Sequence, residues 1–260
     1  VIALDLAAAL DPARFMASTG FEPDPWQRLF LRSTASRLLL LCARQTGKST
    51  STAALAAHCA LYEPGALILL LSPSQQQSRE LFRKVTEFVR GLASLDLEAE
   101  SASRIEFPNG SRIVCLSGNP MTVRGFSGPR LIIIDEACFI DDELAHSVTP
   151  MLAGGGRMIA MSTPNGKRGW FYENWAGDDP LWERMRVTAD DSPRISAEFL
   201  ATERASKPEW RIRQEYMVEF VDTDETLFPS EMVARAITTA VAPLFPSAFS
   251  AFSGGTPHAP

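Results

Sequence analysis

Arg37 to Cys42, Ala66 to Leu71, Arg130 to Ile134 and Arg157 to Met161 each carry an unbroken run of four or more apolar residues dominated by Leu, Ile and Met. Apolar continuity without polar alternation, at this length, predicts strands buried on both faces. Between them the spacing changes. Leu81, Val85, Phe88, Val89 and Leu92 recur at helical intervals in Gln75 to Leu92, and an Ala/Leu/Thr-rich run from Lys48 to about Leu61 predicts a second helix. An amphipathic stretch, Trp26 to Ser33, follows the proline-punctuated segment Phe21 to Pro25. Further helices are expected at Gly169 to Ala176, Ser196 to Ser206 and Pro208 to Phe220. Arg104 to Leu116 reads as two strands joined at Asn109-Gly110, a dipeptide that favours the left-handed turn of a hairpin. Strands alternating with helices predict an α/β fold with a largely parallel sheet covered on both faces. From Ala240 onward Pro, Ser, Gly, Ala and Phe dominate, as in a linker or frayed end.

Composition narrows the classes. The 260 residues are 45% hydrophobic and 22% charged, enough for one substantial core. A formal net charge of -6 excludes a uniformly basic nucleic-acid coat but leaves room for a local basic surface. No apolar run approaches the ~20 residues of a membrane-spanning helix, so no membrane association is expected. The N-terminus carries Asp5 and Asp11 without a basic leader, which argues against a signal peptide, and a first residue of Val points to a trimmed or processed chain. Cys42, Cys59, Cys115 and Cys138 have no CxxC spacing and only three histidines are present, so neither a zinc site nor a disulfide framework is expected, and a reducing cytoplasm is the default.

The chemistry gathers at strand ends. Arg44-Gln45-Thr46-Gly47-Lys48-Ser49 joins the first buried strand to a helix, the context of a phosphate-binding loop. Backbone N–H groups there can surround phosphate oxygens, with Gly47 permitting close approach. Lys48 can reach the β and γ phosphates, and Ser49 can ligate Mg²⁺. The first glycine of the usual motif is Cys42 here. About ninety residues later, Asp135 and Glu136 end another buried strand, the edge where open α/β sheets bind ligands. Asp135 suits a Mg²⁺ shell and Glu136 can polarise a water. Together the two motifs point to nucleotide hydrolysis. Arg44 and Arg124 are candidates to stabilise charge on transferring phosphoryl oxygens. Ser162, Thr163 and Asn165, in a Ser-Thr-Pro-Asn-Gly turn, could sense the γ phosphate.

This series resembles the ATPase domain of the large terminase subunit of tailed bacteriophages. The resemblance rests on Pro25-Trp26-Gln27, Arg44 to Ser49, Ser72-Pro-Ser with Gln75 to Gln77, Arg124-Gly125, Ile132 to Ala137, Ser162 to Gly166 and Arg213 to Phe220, and spans about residues 20 to 225. It implies a RecA-like (ASCE) P-loop NTPase with a small C-terminal helical lid within 180–240. It implies a motor domain over 1–222 that hydrolyses ATP with Mg²⁺ to drive double-stranded DNA into a procapsid. Residues 223–260 would then be a linker toward a nuclease domain that lies beyond this chain, so ATPase without nuclease activity is expected. Implied roles are nucleotide binding by Trp26, Gln27, Arg44, Gln45, Thr46, Gly47, Lys48, Ser49 and Thr50, Gln27 with the Trp26 region recognising adenine. Asp135 would support Mg²⁺, Glu136 would activate water, and Ser162, Thr163 and Asn165 would couple hydrolysis to movement. Arg44 would act in cis and Arg124 in trans, within a homo-oligomeric ring, pentameric by resemblance. The ring would sit on the portal with the small terminase subunit as partner, in host cytoplasm and transiently docked on the procapsid.

Segment 101–130 holds four arginines against one acid, so Arg104 and Arg112, flanking the hairpin, are the candidate DNA contacts. Arg79, Arg83 and Arg90 read as the solvated face of a helix, and Asp222, Asp224 and Glu225 as a solvated junction rather than a metal site. Two other classes share these motifs: a helicase-like nucleic-acid-dependent ATPase, and a nucleotide-binding switch with little turnover.

Overall fold

A computed structural model describes residues 2–91, 97, 99–117, 120–222 and 232. Val1–Val221 form one compact unit and Asp222–Pro260 a second. The proposed linker 223–260, apart from Met232, and the acids Asp224 and Glu225 lie outside the described residues.

The chain opens with three helices, α1 (Ile2–Leu10), α2 (Pro12–Ser18) and α3 (Pro25–Arg32), before the first strand, β1 (Arg37–Cys42). There follow α4 (Lys48–Tyr62), β2 (Leu67–Ser72), α5 (Gln75–Arg90), β3 (Ala99–Glu100), β4 (Arg104–Glu106) and β5 (Arg112–Ser117). Then come α6 (Pro120–Val123), β6 (Leu131–Asp135), α7 (Asp142–Val148), β7 (Arg157–Ser162) and α8 (Gly169–Ala176). The remaining elements are β8 (Glu183–Val187), α9 (Ala197–Ser206) and α10 (Glu209–Glu215). Helix starts are specified locally. Pro25 presets the backbone at the first position of α3, and the Ser74 and Ser196 side chains accept from Gln77 N and Phe199 N to cap α5 and α9.

The strands form one sheet in the order β3-β4-β5-β2-β6-β7-β1-β8. From β5 to β8 every pairing is parallel, and only the β3–β4–β5 edge is antiparallel. Side chains alternate between the faces, as the pleat requires. Leu38, Leu40, Ile133, Ile159 and Met161 join the cluster under α2–α5, whereas Leu39, Leu41, Ile132, Ile134, Met158 and Ala160 join the one under α7–α10. The result is a mostly parallel sheet between two helical layers. Among the described residues no helix is long and apolar enough to cross a membrane.

Two differences from the sequence pattern have physical causes. The helix expected over Pro208 to Phe220 ends at Glu215, and Val218 then takes a left-handed φ of 52°, which a helix cannot continue through. The strand β8 escapes apolar-run reading because it is an edge strand, Glu-Arg-Met-Arg-Val, paired on one side to β1.

Candidate active site

The loop from Ala43 to Gly47 leaves the C-terminal end of β1 and is shaped by two left-handed residues, Gln45 (φ 62°) and Gly47 (φ 86°). Such a turn directs successive N–H groups to one side. Thr46, buried, donates its hydroxyl to Ala43 O at 3.0 Å and closes the loop on itself. Gly47 is the N-terminal cap of α4 without a side-chain cap, and Thr50 N and Ser51 N donate back to its carbonyl. The opening turn of α4 therefore presents its remaining N–H groups and the positive end of the helix dipole to a ligand. A Cβ on Gly47 would lie 2.8 Å from Gln27 Nε2, so a side chain there would have to displace the buried Gln27 amide.

The acidic pair stands at the same edge. β6 and β1 are separated by β7, and their C-terminal ends emerge side by side with it. Lys48 Nζ reaches Glu136 Oε1 at 2.8 Å, and Ser49 Oγ lies 3.4 Å from Asp135 Oδ2. Glu136 itself has φ 51°, a left-handed conformation for a residue with a Cβ. Its backbone N–H donates to Asp135 Oδ1 at 2.9 Å, which holds the Asp135 carboxylate against the turn that carries Glu136. Burial works against the charged Lys48 ammonium, but Glu136 and Asp135 outweigh it and hold its pKa above the ordinary value. Burial raises the Asp135 carboxyl above the ordinary range, with Lys48 opposing.

Of the three polar residues on the β7 tip, Ser162 is tied in directly. Its Oγ accepts from Cys138 N at 3.2 Å, just past Glu136, and donates to Thr163 O at 2.8 Å. Thr163 is buried and Asn165 half-buried, and the Asn165 backbone bonds the Cys138 thiol, which burial pushes up to about 12. The β7 tip is thus linked to the residues that follow the acidic pair.

The other expected residues fall in different places. Trp26 belongs to the core under α2–α5, and its indole Nε1 has no hydrogen-bond partner among the described residues. Gln27 is fully buried: Oε1 accepts from Asp24 N at 2.9 Å and Nε2 donates to Gly47 O at 3.3 Å. Gln45 and Arg44 are exposed. Arg44 N donates to Glu215 O at 3.1 Å and its guanidinium approaches Glu215 Oε1 at 3.8 Å, joining the phosphate loop to α10. Arg124 is exposed at the end of α6, and its guanidinium turns to α7, meeting Glu143 at 3.5 Å and Ser147 Oγ at 3.3 Å.

The expected basic surface is largely spent on internal pairs. Arg104 pairs with Glu106, Arg124 with Glu143 and Arg130 with Glu63. Arg112 is exposed at the start of β5, opposite Glu106 across the ladder and level with Leu67. That is the edge of the sheet away from the phosphate loop. On α5, Arg79, Arg83 and Arg90 are exposed, with Arg83 paired to Glu80 and Glu87 and Arg90 to Glu100. A cleft of about 600 Å³ opens beside the N-terminal ends of β6 and β7, lined by His58, Cys59, Glu63, Arg130 and Arg157 among others. It is not where the loop and the acidic pair meet.

The topology also brings in residues to which the sequence reading gave no role. Asp24 binds Arg194 Nε through Oδ2 at 2.8 Å, and Arg194 comes from the segment between β8 and α9. Glu215 collects Arg44, Lys207 and Arg211. Asp24 had a local signal, a cap residue before proline, whereas Arg194 and Glu215 reach the loop only through the fold.

The N-terminal family model of the terminase large subunit, T4-like virus type, matches residues 39–235. The chain belongs to the terminase large-subunit family. The terminase large subunit of Thermus virus P23-45 is 25% identical to this chain over 254 residues, covering 83% of this chain and 52% of its relative. The chain therefore spans about half the length of that curated relative. The large terminase ATPase domain of Thermus phage P74-26 has the same fold at TM-score 0.67, with 23% identity over 80% of this chain and 98% of its own. A large terminase from a thermophilic bacteriophage, solved with ADP, aligns at TM-score 0.60 and 12% identity over 76% of this chain and 52% of its own. The terminase fold expected from the motifs, a RecA-like mostly parallel sheet flanked by helices, is the one observed.

Proposed function

We propose that this terminase chain is an ATP-hydrolysing motor domain that drives double-stranded DNA into a phage procapsid. The observation that carries the hydrolytic part is the convergence of Lys48 on Glu136 and of Ser49 on Asp135 at one sheet edge. The ADP held by a fold neighbour supports nucleotide as the ligand class. Nucleotide phosphates lie on the opening turn of α4, with Lys48 countering the charge of the β and γ groups. Ser49 and Asp135 supply a hydroxyl and a carboxylate, the hard-oxygen set suited to Mg²⁺, which takes few protein ligands and keeps water and phosphate oxygens. When bound, that ion would neutralise charge on the β and γ phosphates. Glu136 accepts a proton from the attacking water once phosphate has drawn Lys48 toward itself.

Arg44 acts in cis on the γ phosphate, exchanging its long contact with Glu215 for a phosphoryl oxygen. Arg124, exposed at the end of α6, reaches a neighbouring subunit's nucleotide in a homo-oligomeric ring, pentameric as in the resembling motors and seated on the portal. Ser162, with Thr163 and Asn165, transmits the state of the acidic pair to the β7 tip through Cys138. DNA is held by sequence-independent contacts at the β4–β5 hairpin, where Arg104 and Arg112 flank Glu106. The small terminase subunit is the partner that brings DNA to this ring, in host cytoplasm with transient docking on the procapsid. Residues 1–222 are the motor domain, with lid elements within 180–240, and 223–260 its linker.

Phosphate release from ATP as Mg²⁺ is titrated tests the core of this reading. Wild type is expected to turn over with saturable Mg²⁺ dependence, Asp135→Asn to need more Mg²⁺, and Lys48→Ala to be inactive. Turnover in Lys48→Ala equal to wild type would overturn it.

A further inference from the structure

Arg194 is a polar group that faces solvent beside the phosphate loop, on the side of the α3 entry. Gln27, the expected base reader, is fully buried with both ends of its amide committed to backbone. Trp26 is likewise in the core. Arg194 instead keeps 45% of its side chain exposed while Asp24, its partner, keeps 10%. Its Nε donates to Asp24 Oδ2 at 2.8 Å and its Nη2 to Glu22 O at 3.4 Å. It adjoins the loop, since a Cβ on Gly47 would lie 3.6 Å from Arg194 Nε. Two anchors on one edge fix the guanidinium plane and leave Nη1 and the exposed part of that plane for a ligand.

We propose that Arg194 is a nucleotide-contacting residue, on which the purine of a bound nucleotide stacks. Gln27 and Asp24 then act behind it, one setting the loop through Gly47 and the other holding the guanidinium. This rests on the nucleotide-binding reading above and adds a residue to it. The chemistry follows from the guanidinium: a planar, weakly hydrated cation is well matched to the face of an aromatic base. A ligand whose phosphates lie on Gly47 to Ser49 places its base away from the β6 carboxylates, and Arg194 is the anchored cation adjoining Gly47 on the α3 side. Face stacking reads aromaticity rather than the hydrogen-bonding edge, so the contact serves adenine and guanine alike.

The test compares binding of ATP, GTP and inorganic tripolyphosphate to wild-type chain, Arg194→Ala and Arg194→Lys, by calorimetry with Mg²⁺ present. Tripolyphosphate keeps the phosphates and lacks the base. For Arg194→Ala the dissociation constants of ATP and GTP should each rise roughly tenfold, the scale of a partly desolvated cation–π contact, while that of tripolyphosphate stays within twofold. Arg194→Lys, which keeps a cation but loses the plane, should fall between. Equal loss for all three ligands, or no loss for ATP, would overturn the assignment, as would loss for ATP alone with GTP unchanged. Asp24→Asn, which loosens the anchor and leaves Arg194 in place, gives a second reading should Arg194→Ala fail to fold. It should weaken ATP and GTP in the same direction and spare tripolyphosphate, and equal weakening of all three would again count against the proposal. If wild type itself binds no nucleotide, the nucleotide-binding reading fails, and this proposal with it. If wild type binds and only the Arg194 and Asp24 effects are missing, the reading survives without this residue.

Discussion

Glu136 sits at φ 51°, a backbone region that costs a residue with a Cβ of order 1–3 kcal/mol. That cost accompanies a defined geometry, in which the carboxylate meets Lys48 across two strand ends. Gly47 occupies the same region, at φ 86°, without that penalty, and it faces the Gln27 amide so closely that an added methyl group would have to displace it. Gly47→Ala should therefore lower stability by about 1–2 kcal/mol through the left-handed backbone alone. It should also weaken ATP binding as the loop shifts off Gln27. Urea denaturation and nucleotide titration of the same variant check both halves; an unchanged midpoint would show that the loop relaxes freely. The motif residues Lys48, Ser49, Asp135 and Glu136 were legible in the sequence because each follows a buried strand whose apolar run is unmistakable. Arg194 was not, since neither its neighbours nor its spacing mark it, and only the fold brings it beside Gly47.

At the scale of elements, the strands that position the site are the ones buried on both faces, β1, β2, β6 and β7. Their sequences leave little choice of conformation, so they were readable. The edge strand β8 and the short helices α1, α2, α6 and α7 were not, because half-exposed or short segments carry mixed patterns. The N-terminal helices are nonetheless fastened. His58 of α4 contacts Ala8 O and Ala9 O at the end of α1 through Nε2, each at 3.1 Å, and packs against Phe15 and Tyr62. Burial lowers its pKa below the ordinary value of 6.5, with the two carbonyls opposing. A depressed folded pKa means that the unfolded chain takes up the proton first as pH falls. The contribution is whole above 6.5 and declines as pH drops through the folded value. Thermal midpoints measured from pH 8 to pH 5 should fall more steeply for wild type than for His58→Gln, which cannot titrate. Parallel curves would mean that protonated His58 is accommodated without loss.

For the whole molecule, a net charge of -6 and arginines largely paired with neighbouring acids predict weak, strongly salt-dependent DNA binding by this chain alone. Arg124 turns to Glu143 and Ser147 of its own α7, both on the surface, and a neighbour could draw it outward at small cost because exposed ion pairs contribute only about 0–1 kcal/mol. Mixing Arg124→Ala with Lys48→Ala subunits, each inactive alone, should restore part of the ATPase activity in an assembled preparation. No recovery in such a preparation would place the action of Arg124 within its own subunit or nowhere. The measurement closest to the central claim is single-turnover ATP hydrolysis by wild type and Glu136→Gln, with ATP binding recorded on the same samples. The side chains are nearly isosteric, but glutamine cannot accept the proton. Glu136→Gln should bind ATP as well as wild type and hydrolyse it about 10²–10⁴-fold more slowly, the usual worth of a general base. Equal hydrolysis by the two proteins, with ATP bound in both, would contradict the account.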